Sequence, residues 1–207
     1  MERRITGGSE CRIERREDGT TTAIGYAAVF HRNDDPGTEY ELYSDTVERI
    51  EPGAFKEAIG RPDDVRGLFN HNSSNLLGRT TADTLRITED SRGLRYEIDL
   101  PDTSVGRDVA TSIERGDLTG SSFAFVPESI EWKTEGERDV RTIKSVRLYD
   151  VGPVTFPAYG STSTSLRSDG HNEVAKSEQK AWREEHRRVR LERIYRARVK
   201  MLDVDGR

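Results

Sequence analysis

Two adjacent serines, Ser121 and Ser122, stand in a stretch that alternates like a β-strand, residues 120–125 (Gly-Ser-Ser-Phe-Ala-Phe). Phe123 and Phe125 recur at every second position, which predicts that both rings and Ser121 face the core while Ser122 faces the opposite side. A serine that a strand holds on its free face can act as a nucleophile when a base lies near it. Serine is also common in strands without a chemical role, so the motif alone leaves a structural role open.

The base for such a nucleophile has to come from one of four histidines: His31, His71, His171 and His186. The last two fall in a polar linker and a charged tail, where a catalytic base is not expected. His31 stands at the end of a predicted strand. His71 follows an apolar stretch and is flanked by asparagines, which favours a fixed tautomer that could accept a serine proton. The alternative is a loop histidine that binds a backbone carbonyl.

A third candidate is Asp150, an acid in the otherwise apolar stretch 148–154. A carboxylate is costly to bury unless it is paired or hydrogen-bonded, so Asp150 could orient an imidazole. Alternatively it points into solvent or caps a turn at Gly152-Pro153. Catalytic triads occur in several chain orders on unrelated folds, so the order His71, Ser122, Asp150 excludes nothing.

The composition argues against other kinds of site. The chain has 207 residues and a net charge of −5, so a nucleic-acid partner is not expected. Its single cysteine, Cys11, excludes an intramolecular disulfide and a cysteine-based zinc site, and it fits a reducing cytoplasm. There is no metal-binding, Walker or dinucleotide motif, so we expect no metal and no cofactor. Neither a membrane-spanning apolar run nor a signal peptide is recognised, so no membrane partner is expected.

The elements that must hold these side chains are mostly strands. Residues 22–30 predict the first clear strand, and residues 84–88 and 94–100 predict a hairpin. Two helices are predicted between the strands, and the longer one begins after Thr103 and ends near Gly116. The fold class is therefore mostly β, a β-rich α+β fold, arranged as a barrel or a compact sheet structure.

The two ends of the chain differ from its middle. Residues 1–21 are polar and predict a frayed end or an edge strand. Residues 161–172 are rich in Ser, Thr, Asp and Gly, which predicts a linker after a domain spanning residues 1–160. Residues 173–207 are rich in Arg, Glu and Lys and predict a charged tail that is helical or disordered. The apolar residues of this tail are too irregular for a coiled coil.

Several short motifs follow one another in order between residues 22 and 167. They are Gly25–Phe30, Pro52–Phe55, Leu68–His71, Leu77–Arg79, Arg115–Leu118, Ser122–Phe125 and Val151–Tyr159. As an ordered set they resemble the caudovirus prohead protease family, the serine peptidases with which tailed phages mature their capsids. The resemblance implies a fold like that of the herpesvirus assembly proteases, a β-barrel with surrounding helices.

The same resemblance assigns roles to the candidate residues. The family serine falls on Ser122 and the family histidine falls on His71. Where the family usually has Glu-Val-Ser, this chain has Asp150, Val151 and Gly152. Asp150 would then be the third catalytic residue, with a carboxylate of shorter reach, and the hydroxyl usual at position 152 is missing. Phe-Ala-Phe also stands where Phe-Gly-Phe is usual.

The resemblance also implies a function, a place and partners. The function would be that of a serine endopeptidase that cleaves the scaffold, or the scaffold-like segment of the major capsid protein, and also itself. This would happen in the host cell cytoplasm inside the assembling prohead, and self-association is compatible with it. The alternative is a catalytically silent capsid-assembly or scaffold protein with the same fold, which would be free to lose Ser122 or His71. A nucleic-acid-processing protein built on residues 70–72 is a weaker third reading.

Overall fold

The computed structural model describes residues 1–6, 11–43, 45–155 and 173–189. The chain divides into two units, Met1–Thr164 and Ser165–Arg207, and each is described by itself. The predicted linker, residues 161–172, lies outside the described residues, so the predicted domain boundaries remain a prediction. In the second unit, residues 173–189 form a helix, which we call α3.

Strands dominate the first unit, and they form two sheets. The larger sheet has seven strands: β1 (Glu2–Thr6), β4 (Tyr40–Tyr43), β5 (Thr46–Ile50), β6 (Arg66–Leu68), β7 (Leu76–Arg79), β10 (Gly120–Glu135) and β11 (Arg138–Val154). The smaller sheet has four strands in the order β2 (Arg12–Arg15), β3 (Thr21–Val29), β9 (Gly93–Asp99) and β8 (Leu85–Glu89). The predicted hairpin is the β8–β9 pair, and the polar N-terminal region contributes an edge strand, β1.

The mostly β class with inserted helices is confirmed, but the expected closure into a barrel is not found. Within the described ranges neither sheet closes on itself. Each sheet stays open because its end strands do not pair with each other: β1 and β4 end the main path of the larger sheet, and β2 and β8 end the smaller sheet.

Two α-helices in the described part of the first unit accompany the sheets, α1 (Lys56–Gly60) and α2 (Ser104–Glu114). The helix α2 begins as the sequence predicts, because the Thr103 side chain accepts a hydrogen bond from the Gly106 amide at 3.3 Å. Its apolar residues Val109 and Ile113 are buried in the core. Helix α2 leads directly to β10, the strand that carries the two serines.

One apolar core is shared by side chains of both sheets. Phe123 and Phe125 of β10 stack at 4.7 Å between ring centroids, and Phe55 meets Phe123 edge-on at 5.5 Å. Tyr96 and Ile98 of β9 belong to the same cluster of buried side chains. Aromatic burial of this kind fixes the register of β10, because a slip by one residue would turn both rings out of the core.

A buried ion quartet lies in the larger sheet and was not foreseen from the sequence. It consists of Glu2 and Arg4 from β1, Glu48 from β5 and Arg141 from β11, each at most 7% exposed. Arg4 donates to Glu48 at 2.5 Å and to Glu2 at 2.6 Å. Arg141 donates to Glu2 at 3.0 Å and also to Glu48. Two carboxylates therefore face two guanidinium groups, and the quartet has no net charge.

The quartet also makes the stability of the folded state depend on pH. Burial alone would raise the pKa of Glu48, but the attraction of Arg4 and Arg141 outweighs it and holds the pKa below its usual range. A carboxylate whose pKa is lower in the folded state stabilises the fold above its unfolded pKa. That contribution is lost as the pH falls through the folded-state pKa.

We expect Arg141→Met to destabilise the first unit by roughly 3–5 kcal/mol, because it leaves two buried carboxylates facing a single guanidinium group, that of Arg4, and so one buried negative charge uncompensated. Urea unfolding at neutral pH measures this loss. Arg61→Met is a matched control, because the Arg61–Glu128 pair is 33% exposed on each side chain. The control should lose less than about 1 kcal/mol. Equal losses in the two variants would contradict a special role for the buried quartet.

Candidate active site

The pairing of β11 with two neighbours sets the position of the candidate site. On one side β10 runs antiparallel to β11, with Ser122 opposite Gly152 and Ala124 opposite Asp150. On the other side β6 runs parallel to β11, with Arg66 opposite Asp150. The chain leaves β6 at residue 68, so the turn that follows it lies beside the strand that carries Asp150.

That turn carries His71, and Asn70 holds it in place. Both residues have left-handed backbones, with φ of 54° and 53°, a conformation that asparagine tolerates better than most residues do. The Asn70 amide N–H donates to the Pro153 carbonyl at 3.1 Å. The Asn70 side chain accepts from the Thr155 amide at 2.9 Å and donates to the Thr155 hydroxyl at 2.8 Å. The turn is therefore fastened to the end of β11.

The structure brings the three predicted site residues together. His71 Nδ1 lies 2.5 Å from Asp150 Oδ1, and His71 Nε2 lies 2.6 Å from Ser122 Oγ. With Nδ1–H donated to the carboxylate, Nε2 is left to accept the serine proton, which is the tautomer that base catalysis requires. The shorter reach of aspartate is thus sufficient here, because β11 lies directly beside the histidine turn.

The site is more enclosed than the sequence suggests. Ser122 was expected on a free face, yet it is 0% exposed. The side chains of His71 and Asp150 are 8% and 7% exposed. Ser122 does point away from the phenyl rings, but that side of β10 is covered as well. Its Oγ lies 2.8 Å from the carbonyl oxygen of Arg4 in β1.

Ser121 points into the core between the two sheets. Its Oγ lies 2.8 Å from the Tyr96 hydroxyl, which in turn lies 3.3 Å from the Cys11 sulfur. Burial raises the pKa of the Cys11 thiol to about 11, so the thiol stays protonated at neutral pH. Gly25 makes room for this group, because a Cβ there would lie 2.6 Å from the Tyr96 hydroxyl oxygen. Ser121 is thus part of the packing and lies on the opposite side of β10 from His71.

Of the other histidines, His31 belongs to the described part of the first unit, and it lies apart from the site. His31 Nε2 lies 3.0 Å from the Asn33 side chain in an exposed loop. His186 lies in α3 and contacts the helix backbone, with its Nδ1 3.0 Å from the Trp182 carbonyl oxygen. His171 lies outside the described residues.

Sequence reasoning missed the contributions of Arg4 and Asn70. Arg4 acts through its backbone carbonyl, which no side-chain pattern reveals, and its strand was expected to be either frayed or at an edge. Asn70 was noticed only as a polar neighbour of His71. The signal that could have identified it is an asparagine at the start of a turn, a position where a left-handed backbone is often required.

An open cleft of about 260 Å³ lies between α2 and the loop that carries His71. Phe69 and Asn75 line it from the loop, and Val105 and Val109 line it from α2, with Asp108 among the remaining lining residues. A mixed apolar and polar lining of this kind can accept a side chain of a bound polypeptide.

Among the described residues, no group of three or more His, Cys, Asp or Glu side chains is arranged so that it could hold a metal ion. None of the helices in the described ranges is both long and apolar enough to cross a membrane.

The hydrogen-bonded order Asp150, His71, Ser122 has the arrangement of a Ser-His-Asp triad, the hallmark of a class of hydrolases with a serine nucleophile. The sequence model of the caudovirus prohead serine protease family matches residues 9–177. The chain therefore belongs to the caudovirus prohead serine protease family, whose members are capsid-maturation proteases.

The chain was also compared with curated proteins and with solved structures. No curated protein matches the chain. Among solved structures, the chain is similar to the bacteriophage T4 capsid assembly protease, with 10% sequence identity and a TM-score of 0.41. The similar region covers 74% of this chain and 99% of that protein.

Gly152 provides a test of how tightly the site is built. A Cβ at this position would lie 2.2 Å from the Leu68 carbonyl oxygen, so β6 could not keep its place beside β11. We expect Gly152→Ala to destabilise the fold by roughly 1–3 kcal/mol, the usual cost of overpacking. The cleavage rate should fall by more than the loss of folded protein explains, because His71 follows β6 directly and would be displaced with it.

Thermal unfolding and a cleavage assay measure the two effects. Gly60→Ala is the control, because a Cβ at Gly60 meets nothing within 4 Å. A Gly152→Ala protein as stable and as active as the Gly60→Ala protein would contradict the close approach of β6.

Proposed function

We propose that this chain is a serine endopeptidase of phage capsid maturation, with Ser122 as the nucleophile, His71 as the general base and Asp150 as the residue that orients His71. The observation that carries the proposal is the continuous chain of contacts from Asp150 through His71 to Ser122. Membership of a serine protease family supports the same roles.

The proposed chemistry follows from these contacts. His71 Nε2 takes the hydroxyl proton while Ser122 Oγ attacks the carbonyl carbon of the scissile peptide bond. The imidazolium formed is stabilised by Asp150, which accepts from Nδ1–H. His71 then gives its proton to the leaving amine, and an acyl-enzyme remains on Ser122. Water, activated by the same histidine, releases the acyl group and regenerates the hydroxyl.

The proposed substrates are proteins of the assembling capsid. They are the scaffold, or the scaffold-like segment of the major capsid protein, and the chain itself, all inside the prohead in the host cell. The proposed chemistry uses three protein side chains and calls for no cofactor. The alternative, a silent capsid-assembly protein, has less support, because such a protein has no need of a hydrogen-bonded Ser122 and His71.

The two adjacent serines give the sharpest test. We expect Ser122→Ala to fold normally and to lose cleavage by a factor on the order of a million, because the nucleophile is gone. Intact-mass measurement of the purified chain over time, alone and with proheads, reports both self-cleavage and substrate cleavage. Ser121→Ala is the matched control and should remain active. An active Ser122→Ala protein, or a folded but inactive Ser121→Ala protein, would overturn the assignment.

The two partners of Ser122 should differ in importance. We expect His71→Ala to lose activity by a factor on the order of a million, whereas Asp150→Asn should lose roughly 10⁴-fold and keep measurable cleavage. The base is irreplaceable, but the orienting group acts only through the histidine. Initial cleavage rates of the two folded variants decide the point. Full activity of Asp150→Asn would reduce Asp150 to a structural residue.

A further inference from the structure

Strand β1 covers the candidate nucleophile. It pairs antiparallel with β10 from Glu2 opposite Phe125 to Thr6 opposite Ser121, which puts Ile5 opposite Ser122. In this arrangement Ser122 is 0% exposed. A polypeptide cannot reach a hydroxyl that is fully buried, so part of the cover has to move before cleavage.

Strand β1 also competes for the serine proton. Ser122 has a single hydroxyl hydrogen, and two acceptors lie within reach, His71 Nε2 at 2.6 Å and the Arg4 carbonyl oxygen at 2.8 Å. A hydroxyl that donates to Arg4 cannot donate to the histidine at the same time. The strand therefore opposes the first step of the proposed reaction as well as closing the site.

The position of β1 shows what can bind there. An extended chain on this edge of β10 brings a main-chain carbonyl group to hydrogen-bond distance of Ser122 Oγ. A substrate for peptide-bond cleavage has to bring the carbon of a main-chain carbonyl group within about 3–3.5 Å of the same Oγ, which an extended chain on this edge can do after a small shift. Extended peptides commonly bind by adding a strand to a sheet edge, where backbone hydrogen bonds supply the affinity.

We propose that the edge of β10 from Ser121 to Phe125 is the peptide-binding edge of the protease, that β1 blocks it in this structure, and that an extended segment of a polypeptide substrate replaces β1 for cleavage. This inference rests on the proposed function, because it takes Ser122 as the nucleophile. It adds the site of substrate backbone binding and the element that closes the site.

The charges of β1 allow it to leave. The strand contributes one carboxylate, Glu2, and one guanidinium group, Arg4, to the buried quartet. When β1 departs, Glu48 and Arg141 remain as a contacting pair of opposite charge. Release of the strand therefore leaves no unpaired buried charge, which is the costly outcome when a single partner is removed.

The strand pairing of β1 also allows it to detach from the sheet. Among the described strands β1 pairs with β10 alone, at the end of the sheet order. A strand at a sheet edge can detach without breaking any other strand pair.

The first experiment measures how fast Ser122 reacts with a biotin-linked fluorophosphonate, a probe that labels activated serines. We expect a variant lacking residues 2–6 to label faster than the full chain by a factor on the order of 10 or more, because reactivity scales with the fraction of open molecules. Ser122→Ala in both backgrounds controls for labelling elsewhere, and circular dichroism reports folding. Equal labelling rates in the two folded proteins would overturn the proposal.

A synthetic peptide of residues 1–8 then tests the edge itself. It should slow the labelling of the shortened variant by pairing with β10. The same peptide with Arg4→Glu is the matched control and should have little effect, because it would place a carboxylate against Glu48. Equal inhibition by both peptides, or none by either, would count against a specific peptide-binding edge.

A reversible lock keeps the test decisive if the shortened variant fails to fold. Arg3 lies opposite Ala124 in the β1–β10 pair, so Arg3→Cys with Ala124→Cys should form a disulfide that fixes β1. The oxidised protein should label slowly and regain its rate on reduction, whereas Arg3→Cys alone should not respond. A lock that forms and leaves labelling unchanged would overturn the proposal. Absence of labelling at Ser122 in every folded protein would instead overturn the nucleophile assignment, and the inference with it.

Discussion

The pairing of β10 with β11 is the constraint on which the rest of the first unit depends. Its register puts Ser122 opposite Gly152 and Ala124 opposite Asp150, so the hydroxyl and the carboxylate are fixed on neighbouring strands. The outer side of β11 accepts β6, which leads to His71, and the outer side of β10 accepts β1. A slip of β10 by one residue would exchange the two serines and turn the core phenyl rings outward, so packing and chemistry specify the same register.

The larger sheet carries two sets of buried polar side chains, the triad and the ion quartet, and β1 connects them. Arg4 takes part in the quartet through its guanidinium group and contacts Ser122 through its carbonyl oxygen. Buried polar networks are costly when a member is missing, so each set restricts where the strands can lie. Substitutions in the quartet and in the triad should therefore give effects that do not simply add, because both act through the position of one strand.

The sequence predicted those parts of the molecule that depend on local patterns. The alternation around Phe123 predicted the strand and the opposite directions of the two serines, and Thr103 predicted the start of α2. The ion quartet could not be predicted, because its members come from three strands, β1, β5 and β11, that are far apart in the chain, and each looks like an ordinary surface charge. The enclosure of Ser122 was missed for a similar reason, since burial of one face by a distant strand leaves no local pattern. A barrel was expected from the many short strands and from the resemblance, but within the described residues the end strands of each sheet do not pair with each other, a feature that no local pattern reveals.

In the proposed role as the strand that closes the site, β1 has to meet two opposing demands. It must bind well enough to protect a sheet edge, and it must open at a cost of a few kcal/mol if the open state is to be populated. A buried ion network suits this purpose, because desolvation cancels much of its attraction while its geometry still specifies one docking position. A substrate strand would use the same backbone groups of β10 that β1 uses. The backbone hydrogen bonds of the substrate therefore replace those that β1 loses. The net free-energy cost of the exchange is smaller than the cost of removing β1 and leaving the edge of β10 unpaired.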